Sequence, residues 1–306
     1  MSADKAPAEK LPLAVRKNVR DEWDNKKGDL ESQISTLLGT PWTFDINPLA
    51  IYPYAEEGSY GHHSLGECIA AYMNGFIYHL QKFLDTYGQE GKAELNSVCR
   101  ATHAITFAAS TTVNYCGCDI ESGMLRILFH PNNLGSNLDS VAEDIAKVVS
   151  SAPQPAGAPP LSFTARHSIK SDYDSQIGPI LENAIKVLQN PALKFEVGFD
   201  DLGRMLKNGE GARDDWESNL GTFARQYYES FVDSLISEKF GEDELLREGL
   251  AECVPNGSVR LRIVENLQKE TYNEVVLEDG DLVLQTTPQY WGTNINDVAS
   301  NLMSIL

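Results

Sequence analysis

No stretch of this 306-residue chain approaches the run of about 20 apolar residues that a membrane-spanning helix needs. The N-terminus also lacks the shorter apolar core of a secretory signal, so a cytoplasmic protein is expected. Cysteine is sparse. The five present, an odd number without framework spacing, favour free thiols in a reducing compartment over a disulfide scaffold. Basic residues are outnumbered, with 25 Lys and Arg against 44 Asp and Glu and a formal net charge of −19. Both halves share the deficit: 12 Lys and Arg face 19 Asp and Glu in residues 1–155, and 13 face 25 in the remainder. With no basic cluster to offset this field, nucleic acid and anionic membrane are excluded as partners.

The signatures of common chemistries are missing too. Gly209-Glu210-Gly211 lacks the strand-turn-helix context and the following Lys-Ser/Thr of a phosphate loop. There is no G-x-S-x-G elbow and no Ser/His/Asp or Cys/His arrangement. These absences point away from an enzyme, and no cofactor is expected.

What the chain does contain is an internal repeat. Residues 114–148 reappear with substitutions as residues 271–305, so that Tyr115, Glu121, Gly123, Leu125, Pro131, Gly135, Asn137, Val141 and Ala142 meet Tyr272, Glu278, Gly280, Leu282, Pro288, Gly292, Asn294, Val298 and Ala299. Upstream, Leu65-Gly66, Tyr72, Phe76 and Leu80 meet Leu220-Gly221, Tyr227, Phe231 and Leu235. Gly28, Leu38, Pro41 and Phe44 meet Gly178, Leu188, Pro191 and Phe195. A tandem duplication of a module of about 140 residues follows, and self-similarity of this kind dictates architecture. The expected organisation is a disordered tail over 1–12, a first module over 13–150, a Pro- and Ala-rich linker over 151–161 and a second module over 162–306.

Within each module the periodicities predict helix, strand, long helix, three strands and helix. Gly28-Asp29 and Gly178-Pro179 suit a helix start, with stops at Gly39 and before Pro191. Trp42–Ile46 and Leu193–Val197 alternate as short strands. Ser64-x-x-Glu67 reads as a capping box opening a helix whose stripe is Leu65, Ile69, Tyr72, Phe76, Leu80 and Phe83. In the second copy the stripe is Leu220, Phe223, Tyr227, Phe231 and Leu235, followed by a short helix over Leu245–Cys253. Val259, Leu261 and Ile263 alternate with Arg260 and Arg262, placing the arginines on a solvated face. Asp279-Gly280 between apolar arms predicts a type I′ hairpin, and Ser122-Gly123 its counterpart. Asn137 and Asn294 are expected as N-caps of a closing helix. The fold class is therefore α+β, helices packed on a mainly antiparallel three-strand meander, with the two modules in a pseudo-twofold arrangement.

The residues shared by the copies are structural, so function belongs where they differ. The largest difference is the segment after the first strand, aromatic in copy one (residues 47–63) and charged in copy two (residues 198–215). Candidate contacts for a protein or small-molecule partner are Tyr52, Tyr54, Tyr60, His62 and His63, together with Arg204, Lys207 and Arg213. His62, His63 and Glu67 approach a metal-ligand set but not with zinc spacing. Cys116 and Cys118, one residue apart on a strand, share a face but are replaced by Asn273 and Val275 in copy two, so buried apolar behaviour is favoured over ligation. No metal is assigned. The leading expectation is a non-enzymatic binding protein acting through the diverged loops or the inter-module surface. The alternative is an enzyme at the inter-module cleft using His62, His63, Glu67 and loop Tyr and Arg side chains.

Overall fold

The computed structural model of the chain describes residues 5–268 and 271–306. Contacts divide it into two units, the first ending at Ala158 and the second beginning at Pro159. In the first, α1 (Leu13–Asn18) runs through a π-helical segment, Val19–Asp24, into α2 (Asn25–Leu38). The helix thus begins well before Gly28, and it ends where expected, at Gly39 with φ of 69°. Then come β1 (Thr43–Asp45), α3 (Pro48–Ile51), a 3₁₀ turn (Tyr52–Tyr54), α4 (Tyr60–His63) and α5 (Leu65–Val98). Gly88, with φ of 54°, breaks α5 into a long and a short helix. Strands β2 (Ala104–Ala109), β3 (Cys116–Glu121) and β4 (Met124–Phe129), a 3₁₀ turn (Leu138–Ser140) and α6 (Ile145–Ser151) complete the unit.

The second unit follows the same order. It has α7 (Phe163–Ser168), a π-helical segment (Ile169–Asp174), α8 (Ile177–Leu188), β5 (Lys194–Val197), α9 (Phe199–Asn208), α10 (Trp216–Ser237) and α11 (Glu244–Cys253). Strands β6 (Ser258–Ile263), β7 (Asn273–Glu278) and β8 (Asp281–Thr286), two 3₁₀ turns and α12 (Leu302–Ile305) close it. Its core is built from the α10 stripe of Leu220, Tyr227, Phe231 and Leu235 against Val259, Leu261, Val275, Leu282 and Leu284.

The glycines shared by the long helices mark a close approach. A Cβ on Gly66 would lie 2.6 Å from the Asn18 carbonyl oxygen, and one on Gly221 would lie 2.1 Å from that of Ser168. At the same crossing a side chain from the first helix caps the long one. Asn18 Oδ1 accepts from Gly66 N at 2.7 Å and Glu67 N at 3.2 Å, while Ser168 Oγ accepts from Gly221 N at 3.0 Å. The expected Ser64/Glu67 capping box is therefore not formed, because a tertiary partner satisfies those amides.

The sheets are mixed rather than antiparallel meanders. Their orders are β1-β2-β4-β3 and β5-β6-β8-β7, with the first two neighbouring pairs parallel and only the hairpins β3/β4 and β7/β8 antiparallel. The parallel pair β1/β2 is the consequence of a long helix between them, since a crossover returns the chain in the same direction. Both hairpins turn as expected, on Ser122 and Gly123 (φ 53° and 75°) and on Asp279 and Gly280 (φ 53° and 82°). Arg260 and Arg262 lie on the outer face, half-exposed and paired with Glu278. Asn137 and Asn294 do not cap through their side chains. Each takes the left-handed conformation (φ 53° and 48°) ahead of a 3₁₀ turn, and the closing helix starts later.

Residues 1–4 of the expected tail lie outside the described residues. Beyond them Ala8 N donates to the Leu49 carbonyl at 2.9 Å, and Leu11 is buried.

Candidate functional site

β3 and β7 occupy the same place, at the open end of their sheets. Each hairpin loop holds two residues, so the flanking pairs Glu121/Met124 and Glu278/Asp281 exchange hydrogen bonds, and bonding alternates from there. The amide and carbonyl groups of Cys116, Cys118 and Ile120 therefore point away from β4. Those of Asn273, Val275 and Leu277 point away from β8.

In the second unit this outward edge is closed by a side-chain amide. Val275 N donates to Asn301 Oδ1 at 2.9 Å, and Asn301 Nδ2 donates to the Val275 carbonyl at 2.8 Å, so one Asn mimics a paired strand. Asn273 extends the closure, donating to the Thr293 and Asn294 carbonyls at 2.9 Å each and accepting from Tyr227 Oη at 2.9 Å. In the repeat alignment the residue facing Cys118 is Asp144, an acceptor without a donor. Among the described residues neither bond of the Asn301 kind is made at Cys118. A groove of about 510 Å³ lies there instead, floored by residues 116–120 and walled by residues 140–144, Lys147 and Val148.

The side chains along this edge divide by face. Asp119 and Glu121 lie on the outer face, both paired with Arg126, whose Nε reaches Asp119 Oδ1 at 2.7 Å. Cys116 and Cys118 share the opposite face. The Cys116 thiol donates to the Asn137 carbonyl at 2.9 Å, the role Asn273 performs toward Asn294. Burial pushes the Cys118 thiol up to about 12, with Asp119 and Asp144 adding to the effect, and pushes Cys116 up to about 11, with Asp139 adding. Both are neutral thiols at physiological pH and poorly suited to nucleophilic attack. Among the described residues no three His, Cys, Asp or Glu side chains gather as a metal-ligand group, and no helix is long and apolar enough to cross a membrane.

Comparison with protein-family models, curated proteins and solved structures found no match.

The sequence-selected residues fall in other places. Residues 47–63 are not an open loop but short helical turns, with Asn47 accepting from Leu49 N and Ser59 from His62 N. Tyr52 stacks on His62 with ring centroids 5.5 Å apart, and His62 meets His63 edge-on at 5.1 Å. Tyr54 is a core residue, 6% exposed, set edge-on against Phe129 and accepting from Lys5 N at 2.9 Å. Tyr60 is exposed, and partial desolvation raises its hydroxyl to about 12. Glu67 is exposed on the first turn of α5.

The charged segment of the second unit is largely helix α9, which Phe199, Leu202 and Leu206 anchor at helical spacing, with Asp200 and Asp201 at its N-terminus and Lys207 near its end. Arg204 and Lys207 stand on its exposed side, Arg204 bonded to Asp201 at 2.5 Å. Arg213 is held by Asp215 through bonds of 2.8 and 2.9 Å and lies over the Phe223 ring. The residues that sequence reasoning passed over are Asp144 and Asn301. The signal was present, since the repeat register aligns them, but an exchange of Asp for Asn carries no meaning until the strand edge it serves is known.

Proposed function

We propose that the chain is a tandem duplication of one α+β module and works as a binding protein whose first copy pairs with an extended polypeptide along β3. The duplication is supported by the shared strand order, the π-helical segments at matching places, the Gly66 and Gly221 crossings and the left-handed Asn137 and Asn294. One observation carries the binding role. The edge that Asn301 closes in the second copy is left unclosed beside Asp144 in the first, with a groove alongside. An exposed edge is a hazard that folded proteins cover or blunt, and an open one flanked by a groove is the geometry by which β-augmentation domains recruit a partner strand.

The test is selection of binders from a displayed random-peptide library on the full chain, followed by amide NMR. Selected peptides are expected to protect the Cys118 and Ile120 amides from hydrogen exchange. Selected peptides that leave those amides unchanged, or a selection that enriches nothing, would sink the proposal.

A further inference from the structure

Strand pairing by itself is indifferent to sequence, so the occupant's identity rests on what surrounds the edge. The groove is lined by three carboxylates, Asp119, Glu143 and Asp144, against one cation, Lys147. Asp119 is already neutralised by Arg126. Glu143 and Asp144 are exposed and make no ion pair among the described residues, so they remain available to a ligand. The rest of the lining is apolar and small-featured, with Val113, Ile120, Val141 and Val148 prominent. A strand laid beside β3 presents alternate side chains to opposite faces, and only one set meets the wall that carries Glu143 and Asp144.

Resting on the strand-pairing proposal above, we infer that the β3 groove is specific for a basic extended segment. In that segment Lys or Arg alternates with apolar residues, the basic set is read by Glu143 and Asp144, and residue 144 decides whether the edge is open. Asp at this position leaves the Cys118 carbonyl unbonded and adds a charge. Asn, as at position 301, closes both backbone groups of the facing residue. Single-residue control of this kind calls for no change of chain path at the residue itself, since Asp144 and Asn301 share a φ of −95°. Mutual attraction also follows from the charge of the whole chain, which at −19 draws a basic segment at long range.

The experiment measures fluorescence anisotropy on the full chain with three end-blocked, fluorescein-labelled peptides of about nine residues, a length typical of a long strand. One alternates Lys with Val, one Ser with Val and one Glu with Val. The Lys peptide is expected to bind about tenfold more tightly than the Ser peptide at low salt, to lose that advantage in 0.5 M NaCl, and to outbind the Glu peptide by more still. N-methylation of its alternate amides is expected to abolish binding. Glu143→Gln should reduce the preference for Lys over Ser. Asp144→Asn should weaken both peptides, with a melting temperature no lower than wild type to show that the loss is not unfolding.

Equal binding of all three peptides, still lost in Asp144→Asn, would overturn the basic specificity and leave the strand-pairing proposal standing. Failure of all three while library-selected peptides protect Cys118 and Ile120 would do the same. Failure of all three together with an empty library selection would overturn both.

Discussion

Glycine does two different jobs in these helices, and substitution separates them. Gly66 and Gly221 sit where a Cβ would strike backbone atoms of the crossing helix, at 2.6 and 2.1 Å, so Gly221→Ala should cost about 1–3 kcal/mol or more through overpacking. Gly28, inside α2 with nothing within 4 Å of where a Cβ would lie, should instead gain about 0.5–1 kcal/mol on replacement by Ala. Urea denaturation of the two variants tests the pair, and a similar sign for both would contradict the crossing. Among the thiols, Cys116→Ser should be mild because a hydroxyl can still donate to the Asn137 carbonyl, whereas Gly280→Val, forcing a β-branched side chain to φ of 82°, should cost about 1–3 kcal/mol. Burial raises Cys68, Cys99 and Cys118 from 9.0 to about 12, so the folded chain keeps protons that the unfolded chain releases. The associated stability is fully present below pH 9 and is lost as pH rises from there towards 12. Denaturation midpoints at pH 8, 9 and 10 should fall over the last step, and less steeply in Cys118→Ala.

Elements are where sequence reasoning succeeded most and where its failures are instructive. The hairpins were legible because Asp279-Gly280 and Ser122-Gly123 impose their own dihedrals without outside help. Helix α9 was missed: residues 198–215 were expected as a charged loop, although Phe199, Leu202 and Leu206 recur at helical spacing. The cap of α5 was not legible, because Asn18 comes from 48 residues away to reach Gly66. Strand order was missed, the expectation being a mainly antiparallel meander. A helix of α5's length between β1 and β2 implies a parallel pair, yet nothing in the alternation of β2, β3 and β4 says that β4 inserts between the other two. The edge residues yield a test at this scale. Asp144→Asn supplies the donor that Asp lacks and, on forming both bonds seen at Asn301, should raise stability by about 1–2 kcal/mol. Asn301→Asp should lower it by a similar amount, since the Val275 carbonyl loses its partner. Thermal melts of the two single variants shifting in the same direction would contradict the edge comparison.

At the scale of the whole molecule, the second unit's core draws every one of its buried members from residues 161–302. A fragment comprising residues 159–306 should therefore fold cooperatively by itself, as a sigmoidal melt and dispersed amide spectrum would establish. A non-cooperative melt would mean that its core is incomplete. Charge acts on the same scale. With a net charge of −19, self-repulsion opposes compactness, and raising NaCl from 10 to about 300 mM should increase the melting temperature of the intact chain. By itself the sequence determined the hairpin turns and the long helices α5 and α10, because each follows from local dihedral preference or from the period at which apolar side chains recur. The tertiary structure alone decided which strands are neighbours, which amides are capped from a distance and which edge stays open. Those outcomes depend on where a backbone donor or acceptor finds its partner in space, and residues as far apart as Val275 and Asn301 in the second unit carry no mark of that pairing in their identities.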